Sequence, residues 1–210
     1  MNYISIITRT IRLKNWIKNI LILVPIFFAS FYPSEKDLIG LIDIFLLLSF
    51  SSSIIYILND LIDLKDDQKD LIKKKRPIAS GEISKINAIL ICFALSVILT
   101  SYLLFKNNNI LYNFFAIYIL LNLSYSFFFK KIFIFDVIIL SLFYIIRVLV
   151  PIYYFNLDFS KWLVVIIFFA VLTVGFGKRL MDFNNFLWPR FLYLHKLKSQ
   201  IETILKLTTV

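Results

Sequence analysis

LIGLIDIFLLLSFSSSIIYILNDLIDLKDDQKDLIKKKRPIASG, residues 38–81, decides the fold class. Leu38 to Leu58 is apolar over the length that a membrane-crossing helix needs, about 20 residues. At Asn59 the chemistry changes. Asp60, Asp63, Asp66, Asp67 and Asp70 come first, and Lys73, Lys74, Lys75 and Arg76 follow. If the helix runs on past Asn59, then Asn59, Asp63, Asp67 and Asp70 share a face, as do Asp60, Asp63 and Asp67. Clustered carboxylates repel one another, and a divalent cation relieves that repulsion. Magnesium takes one or two carboxylates and completes its shell with water and substrate phosphate oxygens. The basic run is suited to the outer phosphate oxygens, with Arg76 able to grip in a bidentate fashion. A plain solvated acidic loop beside a topogenic basic run accounts for the same residues. Pro77 and Gly81 mark a turn or a helix restart, with Ser80 as its cap.

The composition agrees with a membrane setting. The chain has 210 residues, 60% hydrophobic, with 23 Phe and only four Gly. A soluble core of this size has no use for so much apolar surface. The net charge of +10 lies between apolar runs, so membrane topology, and not a nucleic-acid partner, accounts for it. Cys92 is the single cysteine and excludes an internal disulfide. His195 is the single histidine, so any metal must be held by oxygen ligands. Arg9, Arg12, Lys14 and Lys18 precede the first apolar run, but no small-residue cleavage site follows it. The run reads as a retained first span.

About six apolar segments are long enough to cross: Ile17–Phe31, Leu38–Leu58, Ile86–Phe105, Ile110–Phe129, Ile132–Phe155 and Trp162–Phe176. The fold class is therefore all-α, a polytopic integral membrane helical bundle. Pro25 kinks the first span. With a cytoplasmic N-terminus, the inside holds Arg9 to Lys18, the Lys65 to Lys85 loop, Lys130, Lys131 and the basic residues from Lys178 onward. Only Lys36, Lys106 and Lys161 fall outside. The positive-inside rule selects this orientation.

Other polar residues then collect at the cytoplasmic edge. Arg147 and Asp136 lie in the fifth apolar run, where an ionisable group is costly and tends to face a polar cavity. Asp136 is near enough to the end to sit at the interface. Arg147 is deeper, and either binds an anion or pairs with an acid. Lys178 and Asp182 are four apart beside Arg179, a second charged cluster or a simple end-of-helix anchor. Trp16 and Tyr125 read by default as interface anchors.

Together these stretches resemble the UbiA superfamily of intramembrane prenyltransferases. Asn59, Asp60, Asp63 and Asp67 meet its N-D-x-x-D-x-x-x-D signature. The resemblance is strongest to the decaprenyl-phosphate phosphoribosyltransferase branch. Arg12, Trp16, Lys18 and Asn19 match its opening, and Lys73 with Arg76 to Gly81 matches its K-x-x-R-P-I-A-S-G. Tyr125, Ser126, Lys130, Asp136 and Val137 follow, then a buried arginine like Arg147. Gly177, Lys178, Arg179 and Asp182 complete the series. The resemblance implies a helical bundle with a central cavity and magnesium (Mg2+) as cofactor. Asp60, Asp63 and Asp67 would be the catalytic, metal-holding residues, joined by Asp182. Lys18, Asn59, Lys73, Arg76, Tyr125, Lys130, Arg147, Lys178 and Arg179 would bind substrate. The implied partners are a polyprenyl phosphate and phosphoribosyl pyrophosphate, at the inner membrane of a bacterium. The same site implies, as an alternative, transfer from a prenyl diphosphate to an aromatic acceptor. Residues 1–183 form the UbiA-like domain, and 184–210 a basic cytoplasmic tail of amphipathic character. Two departures stand out. Asp70 and Leu71 replace a frequent His-Pro pair. The family also usually carries about nine spans, so a shortened, non-catalytic membrane protein is a further reading.

Overall fold

The computed structural model describes the backbone of residues 3–29, 31–129 and 133–184, and their side chains except those of 127, 133–134 and 179–184. Lys130 and the tail 185–210 lie outside the described residues. Among the described residues every regular element is helical. In order these are α1 (Tyr3–Thr10), a 3₁₀ segment (Leu13–Leu23), α2 (Val24–Phe28) and α3 (Glu35–Ile62). Then come α4 (Leu64–Asp67), a 3₁₀ turn (Lys73–Lys75), α5 (Lys85–Lys106), α6 (Asn109–Phe127), α7 (Phe133–Tyr154) and α8 (Lys161–Asn184). Four helices are long and apolar enough to cross a membrane: α3, α5, and the spans Phe135–Tyr154 and Lys161–Lys178 of α7 and α8. At 19 residues, α6 is close to spanning length.

Polar caps place the helix ends. Ser34 and Asp37 form a capping box at the start of α3. Ser84, and not Ser80, caps α5 by accepting from the Asn87 amide at 3.1 Å. Ser80 instead donates to the Pro77 carbonyl inside the turn. Gly81 has φ +79°, a conformation that a glycine adopts without cost. Asn107 ends α5 in the left-handed region, and Asn108 caps α6 through the Ile110 and Leu111 amides. A tight helical hairpin results.

The expected first span is not one straight helix. Residues 13–23 wind as 3₁₀, with a period of three that aligns Trp16, Asn19 and Ile22 in one row. That row meets α3. Trp16 Nε1 donates to Ser53 Oγ at 3.0 Å, and Asn19 Nδ2 donates to Ser49 Oγ at 2.9 Å. Ser53 Oγ also reaches the Ile11 carbonyl at 2.8 Å. Trp16 is half-buried and packs edge-on against Phe45 and Phe50, so it also joins the first segment to α3. The serine run of α3 is what allows this approach: Ser49, Ser51, Ser52 and Ser53 are all buried.

Between membrane helices, lipid removes most of the hydrophobic drive, leaving close packing and hydrogen bonds. Small residues therefore set the spacing. A Cβ at Gly175 of α8 would lie 2.7 Å from a Val137 methyl of α7. One at Gly40 would lie 2.9 Å from the Tyr154 ring. The main core joins Ile44, Leu47 and Leu48 of α3 to Leu99 of α5, Phe115 of α6 and Phe143 and Val150 of α7. Outward-facing side chains such as Ile86, Phe93, Ile98, Ile166 and Phe169 are exposed, as a lipid-facing surface requires.

At the end of the bundle away from Asn59, Asp43 is buried in α3 and held from α5. Tyr102 donates its hydroxyl to Asp43 Oδ1, and Lys106 Nζ lies 2.6 Å from Oδ2. Removing this carboxylate leaves the Tyr102 hydroxyl and the half-buried Lys106 without the partner they share. Asp43→Ala is expected to lower stability by about 2 kcal/mol, read as a fall in melting temperature of the detergent-purified protein. Gly175→Val is expected to cost about 1–3 kcal/mol by overpacking, because Val137 is stiff and cannot yield.

Candidate active site

The acid-rich motif does not stay on one helix. Asn59 and Asp60 belong to α3, Asp63 closes it as C-cap, and Asp67 sits on the short α4. The break brings Asp60 and Asp67 together. Arg76 Nη1 donates to Asp60 Oδ1 at 3.0 Å and to Asp67 Oδ2 at 2.6 Å. Arg12 donates to Asp60 as well, and its guanidinium lies 4.7 Å from the Tyr56 ring centroid. Arg12 has φ 54°, a left-handed conformation unfavourable to a side chain. Its pairing with Asp60 and Tyr56 holds it there. Asp60 and Asp67 are 4% and 1% exposed, so two carboxylates are buried under two guanidiniums.

Asp70 leaves the helical register and closes a turn. Its Oδ1 accepts from the Ile72 and Lys73 amides, both at 2.9 Å, and its Oδ2 pairs with Lys73 Nζ at 3.8 Å. Partial burial alone would raise its pKa, but those amides and the Lys73 and Arg76 charges bring it below the usual carboxylate value. The turn therefore keeps this contribution at neutral pH and loses it only as pH falls through the lowered value. Arg9 holds Glu82 ionised in the same way, fastening α1 to the loop. Beneath these polar contacts, Ile57, Leu64, Ile78, Ile83, Ala88 and Cys92 form a small apolar cluster.

Behind Asn59 opens a cavity of about 250 Å³. Its wall brings together Lys18, Asn59, Tyr125, Arg147 and Lys178, five of the residues singled out from sequence. Ser126 Oγ donates to Asn59 Oδ1 at 2.7 Å, tying α6 to α3. Tyr125 donates to the buried Asp136 at 2.6 Å, tying α6 to α7. Neither residue is a mere interface group. Arg147 is 5% exposed, and no carboxylate among the described residues lies within 4 Å of it or of Lys18. Arg12, Lys73, Arg76, Asp60, Asp63 and Asp67 do not line this cavity. Arg179 and Asp182 belong to α8, but their side chains lie outside the described ones.

Several lining residues carry no motif of their own: Ser52, Tyr56, Tyr118, Asn122, Ser141 and Tyr144. They do carry a periodic signal. Ser52, Tyr56 and Asn59 on α3, Tyr118, Asn122 and Tyr125 on α6, and Ser141, Tyr144 and Arg147 on α7 repeat at three and four. Each is a polar stripe along one face of a largely apolar span.

The donor set bears on magnesium. Asp67 Oδ1 is buried with no hydrogen-bond partner. Asp60 beside it is the second carboxylate. No group of three or more His, Cys, Asp or Glu among the described residues is placed to hold a metal, so Asp63 does not complete a three-aspartate grip here. Two carboxylate ligands, with phosphate and water oxygens completing the shell, suit magnesium, and these residues fit it.

Residues 21–183 match the model of the UbiA prenyltransferase family. The chain belongs to that family. It is an integral membrane protein, since four helices among the described residues are long and apolar enough to cross. Similar proteins include a Sinorhizobium fredii protein named uncharacterized protein y4nM, 31% identical over 174 residues. That match covers 80% of this chain and 33% of y4nM. A decaprenyl-phosphate phosphoribosyltransferase of Mycobacterium tuberculosis is 25% identical over 189 residues, 87% of this chain and 62% of that protein. The corresponding transferase of Mycolicibacterium smegmatis is 28% identical over 184 residues, covering 85% of this chain and 57% of that protein. The chain thus spans one third to under two thirds of the length of these relatives.

Arg76 neutralises two buried carboxylates, which sets its value. Arg76→Met is expected to destabilise the protein by about 2 kcal/mol or more. Adding Asp67→Asn should recover part of that loss, because one of the stranded charges is then gone. Thermal unfolding of both variants in detergent checks the pair.

Proposed function

We propose that this UbiA-family chain acts as a magnesium-dependent membrane transferase. It would move the phosphoribosyl group of phosphoribosyl pyrophosphate to a polyprenyl phosphate, with loss of diphosphate. The observation that carries the reading is the cavity. Two cations without a carboxylate partner among the described residues, Lys18 and Arg147, line it together with Lys178, and its Asn59 adjoins the Asp60–Asp67 pair in sequence. A lipid phosphate and a diphosphate donor are both anionic, and each finds a charged region of its own.

The names of the mycobacterial relatives favour phosphoribosyl transfer, as does the shared opening Arg12, Trp16, Lys18 and Asn19. In this reading the C1–O bond of the donor breaks and diphosphate leaves with the bonding electrons. An oxygen of the lipid phosphate forms the new bond at C1. Bound magnesium would supply charge neutralisation to the diphosphate. Asp60 and Asp67 would hold it, and Arg12 and Arg76 would turn from those carboxylates to the diphosphate oxygens. The prenyl chain would lie against Tyr118, Phe143, Tyr144, Val171 and Val174. Lys73, Lys130 and Arg179 are assigned to phosphates by resemblance alone, as is Asp182 to the metal. The basic loops favour a cytoplasmic site in the inner membrane of a bacterium. A charged donor would then arrive from the cytosol and a lipid acceptor from the bilayer.

The test uses membranes carrying the chain, with labelled phosphoribosyl pyrophosphate and decaprenyl phosphate. A labelled lipid that forms only with magnesium is the expected result. Asp67→Asn and Asp60→Asn should each reduce it at least a hundredfold, an effect of about 2.7 kcal/mol. Turnover with a prenyl diphosphate and an aromatic acceptor, and none with phosphoribosyl pyrophosphate, would replace this reading with the prenyl-transferring one.

A further inference from the structure

Arg147 is anchored in an unusual way for a buried cation. Its Nε donates to Asn19 Oδ1 at 2.8 Å, and its Nη1 donates to the Phe143 carbonyl at 2.6 Å. The Tyr144 ring centroid lies 5.2 Å from the guanidinium carbon. Asn19 is itself fixed, its Nδ2 donating to Ser49 Oγ at 2.9 Å. Asn19 is 1% exposed and Ser49 0%. An amide and a backbone carbonyl therefore hold the group, a hydroxyl fixes the amide, and none of the three carries a negative charge.

We propose that Asn19 is a positioning residue for Arg147. Through the Ser49–Asn19–Arg147 chain it aims an uncancelled positive charge at a phosphate group bound in the cavity. The choice of an amide is the point. Arginine has a long side chain with about 2 kcal/mol of rotamer entropy, and an anchored Nε removes much of that cost before a ligand arrives. An aspartate at position 19 would anchor Nε equally well, but it would cancel the charge the ligand needs. The 3₁₀ winding of residues 13–23 puts Asn19 in register with Ser49, so the distorted first segment has a function here. The inference rests on the proposed function only in needing a phosphorylated ligand in the cavity.

The experiment titrates farnesyl phosphate and, separately, farnesyl diphosphate into the detergent-purified full chain, with farnesol as the uncharged control. Asn19→Asp and Asn19→Ala are expected to weaken the phosphorylated probe about tenfold or more. Farnesol binding and melting temperature should hold for Asn19→Asp. In an Arg147→Met background neither change at position 19 should weaken the probe further. That non-additivity separates a role exerted through Arg147 from a general structural one. Wild-type affinity in Asn19→Asp overturns the proposal. So does an undiminished effect in the Arg147→Met background, collapse of both position-19 variants, or failure of both probes to bind the wild type. Binding of farnesyl diphosphate alone, still lost in Asn19→Asp, leaves the positioning role standing and counts against the phosphoribosyl reading.

Discussion

One guanidinium shared between two buried carboxylates holds the polar edge of this protein in place. Arg76 reaches Asp60 on α3 and Asp67 on α4. In a bundle faced by lipid, a charge left without a partner is costly enough to rearrange the backbone around it. The bridge draws the connection after α3 back against the helix. Leu64, Ile78 and Ile83 then pack beside Ile57. A stretch whose composition suits a solvated loop becomes a fixed wall of the bundle.

The site uses opposite electrostatic arrangements within a few residues. At Asp60 and Asp67, negative charge is matched by Arg12 and Arg76. In the adjacent cavity, the described residues that hold Arg147 are all neutral. In the proposed function the first arrangement would exchange its arginines for a cation and a diphosphate. The second is ready for an anion without exchange. Asn59, one residue before Asp60, lines the cavity, so α3 carries both regions in a single turn.

Packing explains how so much polarity is accommodated. The serine run of α3 is small enough for the 3₁₀ segment to approach, and its hydroxyls satisfy the donors of Trp16 and Asn19. Gly175 lets α8 close on α7 at Val137, beside the cavity it helps to line. Asp43, Tyr102 and Lys106 fasten α3 to α5 at the far end. Hydrogen bonds among small or buried polar groups take the place that hydrophobic collapse has in water.

Local chemistry made much of this legible in the sequence. Apolar runs of spanning length, an aspartate motif at helical spacing and a lone deep arginine are properties of neighbouring residues, and each implies its consequence without a partner. They sufficed for the all-helical membrane class, the family resemblance and five of the residues around the cavity. Pairings between distant segments are of another kind. That α3 stops at Asp63, that Arg76 bridges Asp60 and Asp67, and that Trp16 turns inward to Ser53 depend on which helices meet. So does the hold of Asn19 on Arg147, 128 positions apart. Period and composition record which residues are polar, but the partner that satisfies a buried charge is chosen by packing in three dimensions.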